Sequence, residues 1–450
     1  MTFEEALKYL EGFTNYELLM RTPYESAYKL QRMQELCSLV GHPEQGLTSV
    51  HIGGTKGKGS VAAMTESILR AAGFKTGLYI SPHLVSMRER ILICGRPIPA
   101  EHFGRLMGIV RDALKSREVN PRHGAYTFFE LVTLAAFLAF REEQVDVAVL
   151  EVGLGGRLDA TNVVSPLAVG LVPVSFDHAS ILGVTLEQIA REKCGIVKKR
   201  TPVISGVQTD SVMSLIDDTA RERGCPVLAV ERDIHVERKG WDLGGERFSC
   251  EGPWPARYED MEVALLGAHQ VRNAAIAIGL IEVLKSRGLD ISLDAVRVGL
   301  KAVSWPGRLE VVETKPFVVL DGAQNVDSAQ ALVQAVKDHF CYRRLILILG
   351  MSQDKDLVGV GKTLAPLADE VIFTESGHPR AASADFLKGV MGGFFKSGRT
   401  VSNCEEALEA ARRAADPEDF ILVTGSLYLI GRIRKLLKPA EELEDVSLSR

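Results

Sequence analysis

Short runs of apolar residues alternate with helical patterns along most of the chain. Between most of these runs, apolar side chains recur every three or four residues, as in 61–73. Strands that are buried on both faces read as continuous apolar runs, and their alternation with helices predicts parallel sheets covered by helices on both sides. The fold class expected is therefore α/β, with strands at 47–52, 76–81, 145–152, 167–174, 202–205, 317–321, 344–350, 370–374 and 420–425.

The pattern divides near residues 305–310. A helical stretch ends before this segment, and a new series of strands and helices begins after it. A chain of 450 residues also exceeds what one hydrophobic core usually holds. We expect two domains, 1–303 and 304–450. Residues 231–266 show little alternation of strand and helix patterns, and they hold two of the three tryptophans. This segment is predicted to form a small antiparallel excursion, that is, an antiparallel segment attached to the first domain.

Composition narrows the class of protein. The net charge is −5, with 53 basic and 58 acidic residues, so no basic surplus favours nucleic acid as a partner. The seven cysteines form no Cys-x-x-Cys pair, which favours the reducing cytoplasm over a disulfide framework or a zinc site. The longest strongly apolar run, 131–140, is far shorter than the roughly 20 residues that span a bilayer. A buried helix is expected there, and no membrane partner.

A glycine-rich segment follows the first predicted strand. The sequence HIGGTKGKGSVAAM, residues 51–64, places glycines, Lys58 and Ser60 between a strand and a helix. Glycines let backbone N–H groups converge on an anion, and a helix N-terminus adds partial positive charge. This context predicts a phosphate loop, although Gly59 separates the lysine from the serine. The alternative is a glycine-rich turn in which Ser60 only caps the helix.

Polar residues end several of the neighbouring predicted strands. Ser81 follows one strand, Glu151 ends a fully apolar strand, and Asp177 and His178 follow the next. Ligands of open parallel sheets sit at the carboxyl ends of strands, so these side chains are candidates for a magnesium site. Two alternatives remain at this point. Glu151 could pair with Arg157, and His178 could be an ordinary core or loop histidine.

Lys193 stands on the apolar stripe of a predicted helix in LEQIAREKCGIVKK. One interpretation is that its stem lies along the core while its amine reaches water. The other is that the amine is buried, which lowers its pKa and makes it a nucleophile.

Eleven motifs occur in order along the chain. They are GTKGKGS, YISPHLVSMRERI, TFFE, EVGLGGRLDATN, DH with LG soon after, REKCGIVK, HQVRNAA, PGRLE, LDGAQN, DKD and TGSLYLIG. Together they resemble the folylpolyglutamate synthase/dihydrofolate synthase family of the Mur-ligase superfamily. The resemblance covers about residues 30–431, and its most specific parts are EVGLGGRLDATN and SPHL followed by RERI.

The resemblance implies a fold, an activity and a set of site residues. The fold is a parallel-sheet P-loop ATPase domain followed by a smaller Rossmann-like α/β domain. The catalytic residues implied are Lys58, Lys193, His178 and Glu151. The ATP contacts implied are Thr55, Gly57, Lys58, Gly59, Ser60, Asn273, Arg308 and Asp321. The pterin-side residues implied are Thr127, Phe128, Phe129, Glu130, Leu158, Asp159 and Ala160. The metal ligands implied are Ser60, Ser81, Glu151, His178 and, if carbamylated, Lys193.

The implied enzyme is an ATP-dependent carboxylate–amine ligase. It adds L-glutamate to the γ-carboxylate of a folate, to dihydropteroate, or to both, through an acyl phosphate. ATP and magnesium at two sites are the implied cofactors, and a monovalent cation is a further candidate. The implied partners are small molecules only, and the enzyme is expected to be a cytoplasmic monomer.

Four residues depart from the usual family pattern and leave the substrate open. Most members carry Asn at Lys56, His at Gln324 and Pro at Val326, and Cys194 replaces a common Ala. The alternatives are a related ligase for another carboxylic acid and a nucleotide-binding relative that has lost catalysis. The peptidoglycan-precursor ligases fit less well, because only about 50 residues precede the phosphate loop, fewer than most independent domains have.

Overall fold

A computed structural model describes residues 1–19, 24–115, 123–177 and 179–438 of the chain. Two parallel-dominated sheets and one small antiparallel sheet form its framework, which confirms the predicted α/β class. The strands are β1 Ser49–Gly53, β2 Thr76–Tyr79, β3 Ile91–Ile93, β4 Arg96–Pro97, β5 Val147–Glu151, β6 Ala168–Leu171, β7 Val203–Ser205, β8 Val227–Ala229, β9 His235–Asp242, β10 Gly245–Glu251, β11 Tyr258–Val263, β12 Glu310–Thr314, β13 Phe317–Leu320, β14 Leu345–Leu349, β15 Glu370–Phe373, β16 Gly398–Thr400 and β17 Phe420–Thr424.

Helices cover both faces of each parallel sheet. They are α1 Phe3–Glu11, α2 Tyr24–Ala27, α3 Leu30–Leu39, α4 Lys58–Ala71, α5 Ala100–Leu114, α6 Phe128–Glu142, α7 Ala179–Leu182, α8 Leu186–Lys193, α9 Asp210–Arg223, α10 Ala268–Ser286, α11 Leu293–Ala302, α12 Val326–His339, α13 Leu357–Leu364, α14 Ala384–Met391, α15 Cys404–Ala414 and α16 Leu427–Leu437. The apolar run 131–140 lies inside α6, a buried helix as expected. Among the described residues, none of these helices combines the length and the apolar character needed to cross a membrane.

The larger sheet has the strand order β4-β3-β2-β5-β1-β6-β7-β8. All pairs from β2 to β8 are parallel, and the short β3 and β4 add an antiparallel edge. Both faces of β5 are buried: Val147 and Val149 pack into one core, while Ala148 and Leu150 pack into another. This two-sided burial explains why the strand reads as a continuous apolar run.

The second parallel-dominated sheet has the order β12-β13-β17-β14-β15-β16. Only β12 runs antiparallel to its neighbour. The segment between α11 and β12 joins the two sheets, and it contains the division predicted at 303/304. We propose to keep that division and call 1–303 the first domain and 304–450 the second domain.

The excursion predicted at 231–266 is a three-stranded antiparallel sheet with the order β11-β10-β9. It packs on one side against α10 of the first domain, since Phe248, Met261 and Val263 belong to the same core as that helix. It also contacts α12 of the second domain.

Candidate functional site

The carboxyl ends of four adjacent strands, β2, β5, β1 and β6, open into one cleft between the domains. The cleft has a volume of about 510 Å³. First-domain residues on its wall include the loop from Thr55 to Ser60, Ser81, Glu151 and Asn273; Arg308, Asp321 and Gln324 come from the second domain. The sheet order therefore brings the predicted loop and the predicted strand-end residues together.

The phosphate loop, Gly53–Ser60, runs from the end of β1 into α4. Gly57 is the N-cap of α4, with φ of 96°, and no side chain caps the helix. The Ser60 hydroxyl therefore is not the cap that the alternative interpretation required. The first N–H groups of the helix lack intrahelical acceptors and favour an anion in front of them.

Gly59, which breaks the usual lysine–serine order, lies directly under an indole ring. A Cβ at this position would stand 2.8 Å from Cζ2 of Trp305 in the connecting segment between the domains. A side chain here would push that ring away. The extra glycine thus lets the connecting segment pack on the phosphate loop.

Glu151 is a buried carboxylate, 5% exposed, at the end of β5. Arg157 pairs with Glu192 at 2.9 Å, so the alternative Glu151–Arg157 salt bridge is not formed. The backbone N–H of Ser81 donates to Oε2 of Glu151 at 3.3 Å. Burial raises the pKa of this carboxyl, while the charges of Lys58 and Arg308 oppose the rise.

Lys193 lies at the end of α8 and is only 5% exposed, so its amine does not reach water. Its Nζ donates to the carbonyl oxygen of Gly54 at 2.7 Å, within the phosphate loop. Burial, helped by the charge of Lys58, lowers the pKa of Lys193 to about 7. Of the two interpretations, the structure supports the buried amine.

Asp321 and Arg308 face the first domain across the cleft. The carboxylate of Asp321 accepts hydrogen bonds from the backbone N–H groups of Leu309 and Ala323, both at 2.9 Å. Burial raises the pKa of Asp321, and the positive charge of Arg308 counteracts this. Both residues line the cleft together with Asn273 of the first domain, whose amide packs against Gly57.

An ion-pair cluster that the sequence did not assign joins the domains at the cleft. Asp177 accepts Lys56 Nζ at 3.4 Å on one carboxylate oxygen and Lys355 Nζ at 3.1 Å on the other. Lys355 belongs to the DKD motif, so the sequence did mark it as a candidate. The motif alone does not show that Lys355 pairs with Asp177, 178 positions away.

Comparisons with known proteins match two stretches of the chain. Residues 52–281 match the Mur ligase middle domain and residues 307–427 match the Mur ligase, glutamate ligase domain. The dihydrofolate synthase/folylpolyglutamate synthase of Bacillus subtilis is 34% identical over 411 residues, covering 91% of this chain and 95% of its own length. The chain belongs to the folylpolyglutamate synthase/dihydrofolate synthase family.

Solved structures agree with this family. A Mycobacterium tuberculosis folylpolyglutamate synthase complexed with ADP superposes with a TM-score of 0.88 at 33% identity, covering 97% of this chain and 98% of that one. The E. coli FolC protein in complex with DHPP and ADP gives a TM-score of 0.85 at 29% identity, with the same coverages of 97% and 98%.

The pterin-side residues implied by the family motifs do not line the 510 Å³ cleft. Two of them, Phe129 and Asp159, lie next to Gly153, which is on the cleft wall. Several of these side chains already have protein partners. Thr127 and Glu130 form the capping box of α6, Glu130 also pairs with Arg32 at 2.7 Å, and Asp159 accepts hydrogen bonds from Leu154 and Thr161. Phe128, Leu158 and Ala160 pack in hydrophobic clusters or at their edges.

The residues that depart from the family pattern differ in position. Lys56 and Gln324 line the cleft, whereas Val326 begins α12. The Gln324 backbone N–H donates to the Ser328 hydroxyl at 3.1 Å. His178, assigned both to catalysis and to metal binding, lies outside the described residues.

Proposed function

We propose that this chain is an ATP-dependent carboxylate–amine ligase that adds L-glutamate to the γ-carboxylate of a folate, to dihydropteroate, or to both. One observation carries the proposal. The phosphate loop, the buried carboxylate of Glu151 and two charged residues of the second domain, Arg308 and Asp321, all line one cleft. Such a cleft can hold a nucleoside triphosphate against an acid substrate.

The chemistry needs an activated carboxylate, because a free carboxylate is a poor electrophile. A carboxylate oxygen of the acid substrate attacks the γ-phosphorus of ATP, and the bond to the β-phosphate oxygen breaks to release ADP. The amine nitrogen of glutamate then attacks the acyl carbon, loses its proton, and expels phosphate. The protein mainly positions the reactants and neutralises charge. We assign charge neutralisation to Lys58, the N-terminus of α4 and Arg308.

Magnesium fits the oxygen donors on this wall. Ser60 and Ser81 offer hydroxyls, and Glu151 offers a carboxylate that only one backbone N–H occupies. Phosphate oxygens and water would supply further ligands. Bound magnesium would draw charge from the transferred phosphate. His178 stays assigned as a further ligand.

We also propose that the Lys193 amine captures carbon dioxide and becomes a carbamate. Its pKa near 7 leaves a substantial neutral fraction, and neutral amines react with carbon dioxide. The carbamate would place an anionic oxygen among Lys56, Lys58 and the metal ligands. Lys193→Ala is expected to lose most ligase activity while still binding ATP, and short carboxylic acids should restore part of it. Full activity of the alanine variant would contradict the carbamate.

Two observations support a cytoplasmic monomer. All seven cysteines are unpaired, as expected in a reducing compartment. Both walls of the cleft come from the same chain, so a second copy is not needed to complete the site. A monovalent cation stays part of the proposal by family resemblance only.

Cleft residues Lys56 and Gln324 support a second candidate, a ligase of this family that acts on another carboxylic acid. One experiment separates the candidates. Purified protein is incubated with ATP, magnesium and glutamate, together with either dihydropteroate or tetrahydrofolate. The proposed function predicts ADP release that requires both acid and glutamate, with a product heavier by one glutamyl residue. ADP release at the same rate with and without the pterin acids would favour the second candidate. The absence of ATP turnover with any acid would favour loss of catalysis.

A further inference from the structure

The antiparallel sheet β9–β11 of the first domain contacts the C-terminal end of α12 in the second domain through a hydrogen bond and an ion pair. Trp241 Nε1 donates to the backbone oxygen of Asp338 at 2.8 Å, and Arg238 Nη1 pairs with the Asp338 carboxylate at 2.7 Å. The guanidinium of Arg238 also lies 3.9 Å from the centre of the Trp241 ring. Two side chains of one strand, β9, therefore hold a single residue of α12.

Behind this contact lies Glu246, a fully buried carboxylate on β10. It pairs with Arg238 at 2.6 Å and with Nε2 of His339 at 2.8 Å. It also accepts the backbone N–H of Gly267 at 2.8 Å. The second ring nitrogen of His339 lies 3.0 Å from the carbonyl oxygen of Asp242, so both ring nitrogens face acceptors. Burial opposes ionisation of Glu246, but the hydrogen bonds from His339 and Arg238 outweigh it and lower the pKa of this carboxyl.

The partners of Glu246 anchor the two helices that form opposite walls of the cleft. Gly267 is the N-cap of α10, which carries Gln270 and Asn273 on the cleft wall. His339 ends α12, which lines the other wall with residues such as Ser328 and Ala331.

The helices also meet directly at Gly267. A Cβ there would stand 2.7 Å from the His269 ring and 3.3 Å from the Cβ of Ala335 on α12. At this end of the cleft, Gly267 and Glu246 therefore set the spacing between the two walls.

We propose that Glu246 is a positioning residue for the nucleotide, and that the β9–β11 sheet is the pivot on which the second domain is seated. Glu246 touches no reactant. It acts through Gly267 and His339, which fix where α10 and α12 present their side chains. Arg238 and Trp241 hold the far end of α12 so that the wall does not swing outward. This inference rests on the proposed function, because it assumes that the cleft holds ATP.

If the sheet is a pivot, disturbing it should weaken nucleotide binding and leave binding of the pterin acid unchanged. The residues implied on the pterin side lie within the first domain and outside the cleft, so moving α12 leaves them in place. Glu246→Gln keeps the shape of the side chain but removes the charge that Arg238 and His339 share. Its KM for ATP should rise about tenfold, a size typical of coupling between linked sites, and its KM for the pterin acid should stay within about twofold.

Asp338→Asn provides a second route should Glu246→Gln fold poorly. It removes only the carboxylate that Arg238 binds and retains the backbone oxygen that Trp241 uses. The KM for ATP is expected to rise here too, but by less than in Glu246→Gln. Asp260→Asn is the matched control, because Asp260 is an exposed carboxylate of the same sheet that pairs with the exposed Lys239 at 3.9 Å. It should leave both KM values unchanged.

Calorimetric binding of a non-hydrolysable ATP analogue, with magnesium, separates this inference from the proposed function. The inference expects tight binding to the wild-type protein and about tenfold weaker binding to Glu246→Gln or a smaller loss in Asp338→Asn. If both variants melt at lower temperature but bind the analogue as the wild type does, the sheet is only a structural brace and the inference is overturned. If the wild-type protein does not bind the analogue at all, the proposed function falls, and this inference with it.

Discussion

Lys58 and Lys193, two lysines at the phosphate loop, differ in their surroundings. We therefore expect them to have different roles. Lys58 begins α4, is partly exposed and lines the cleft. Lys193 is buried and donates to the loop backbone at Gly54. We therefore expect Lys58 to contact phosphate directly, and Lys193 to act from behind the loop in a form other than a free ammonium.

Lys58→Ala tests the first task. A cation aimed at charge that moves in the transition state contributes most to rate, and removal of one such group commonly costs at least ~100-fold. We expect a loss of that size in kcat, measured by ADP release. Lys199→Ala removes an exposed lysine elsewhere in the chain and is the control, with activity near that of the wild type. Activity of Lys58→Ala within a few-fold of the wild type would show that another group holds the phosphate.

The buried amine of Lys193 makes stability depend on pH. The pKa of Lys193 is about 7 in the folded chain and about 10.4 when unfolded, so the unfolded state binds more protons between these values. The free energy of unfolding should then rise with pH in that window, by about 1.4 kcal/mol per unit for this group. Chemical denaturation of wild type and Lys193→Met is compared from pH 7 to 9 in buffer free of carbon dioxide and magnesium. A difference between the two proteins that stays constant with pH would contradict a depressed pKa.

At the scale of elements, two-sided burial decided what the sequence could predict. Strands such as β5 and β14 send alternate side chains into two cores, so nearly every position is apolar and the run is visible. The strands β4, β12 and β16 lie at sheet edges with partly exposed residues, and no continuous apolar run marks them. Edge strands need less apolar surface, which is why the pattern missed these three. The strands β3 and β8 are apolar, but each has only three residues, fewer than the four to eight of a typical strand signal.

The start of α6 illustrates how a motif can carry structure as well as function. Glu130 is buried, caps the helix through Thr127, and pairs with the buried Arg32. Removing one partner of a buried ion pair leaves the other charge unpaired, so Glu130→Ala should lower the free energy of unfolding by about 3–5 kcal/mol. Glu142→Ala, which breaks the more exposed pair with Arg105 near the other end of α6, should cost at most about 1 kcal/mol.

The same variants show whether Glu130 also contacts substrate. If its role is structural, the KM for the pterin acid should be unchanged when activity is measured well below the melting temperature. A large rise in that KM, with stability equal to that of Glu142→Ala, would instead support direct contact with the pterin.

At the scale of the whole molecule, the contacts between the domains were not predictable. The sequence predicted that the glycine-rich loop, Ser81 and Glu151 lie at one edge of the sheet, and they do line one cleft, because parallel topology brings carboxyl ends to one edge. It could not place Lys355 on Asp177, or His339 on Glu246, since no periodicity relates residues 178 or 93 positions apart. These pairs depend on how the two parallel-dominated sheets are seated against each other.

The central claim is that this cleft activates a carboxylate by phosphorylation before the amide forms. Oxygen transfer tests it most directly. A pterin acid labelled with ¹⁸O in its reacting carboxylate is incubated with the purified enzyme, ATP, magnesium and glutamate, and the released phosphate is analysed by mass spectrometry. The account predicts one ¹⁸O atom in each inorganic phosphate, because the carboxylate oxygen leaves with the phosphate when glutamate attacks. Amide product accompanied by unlabelled phosphate, or by AMP and pyrophosphate, would contradict it.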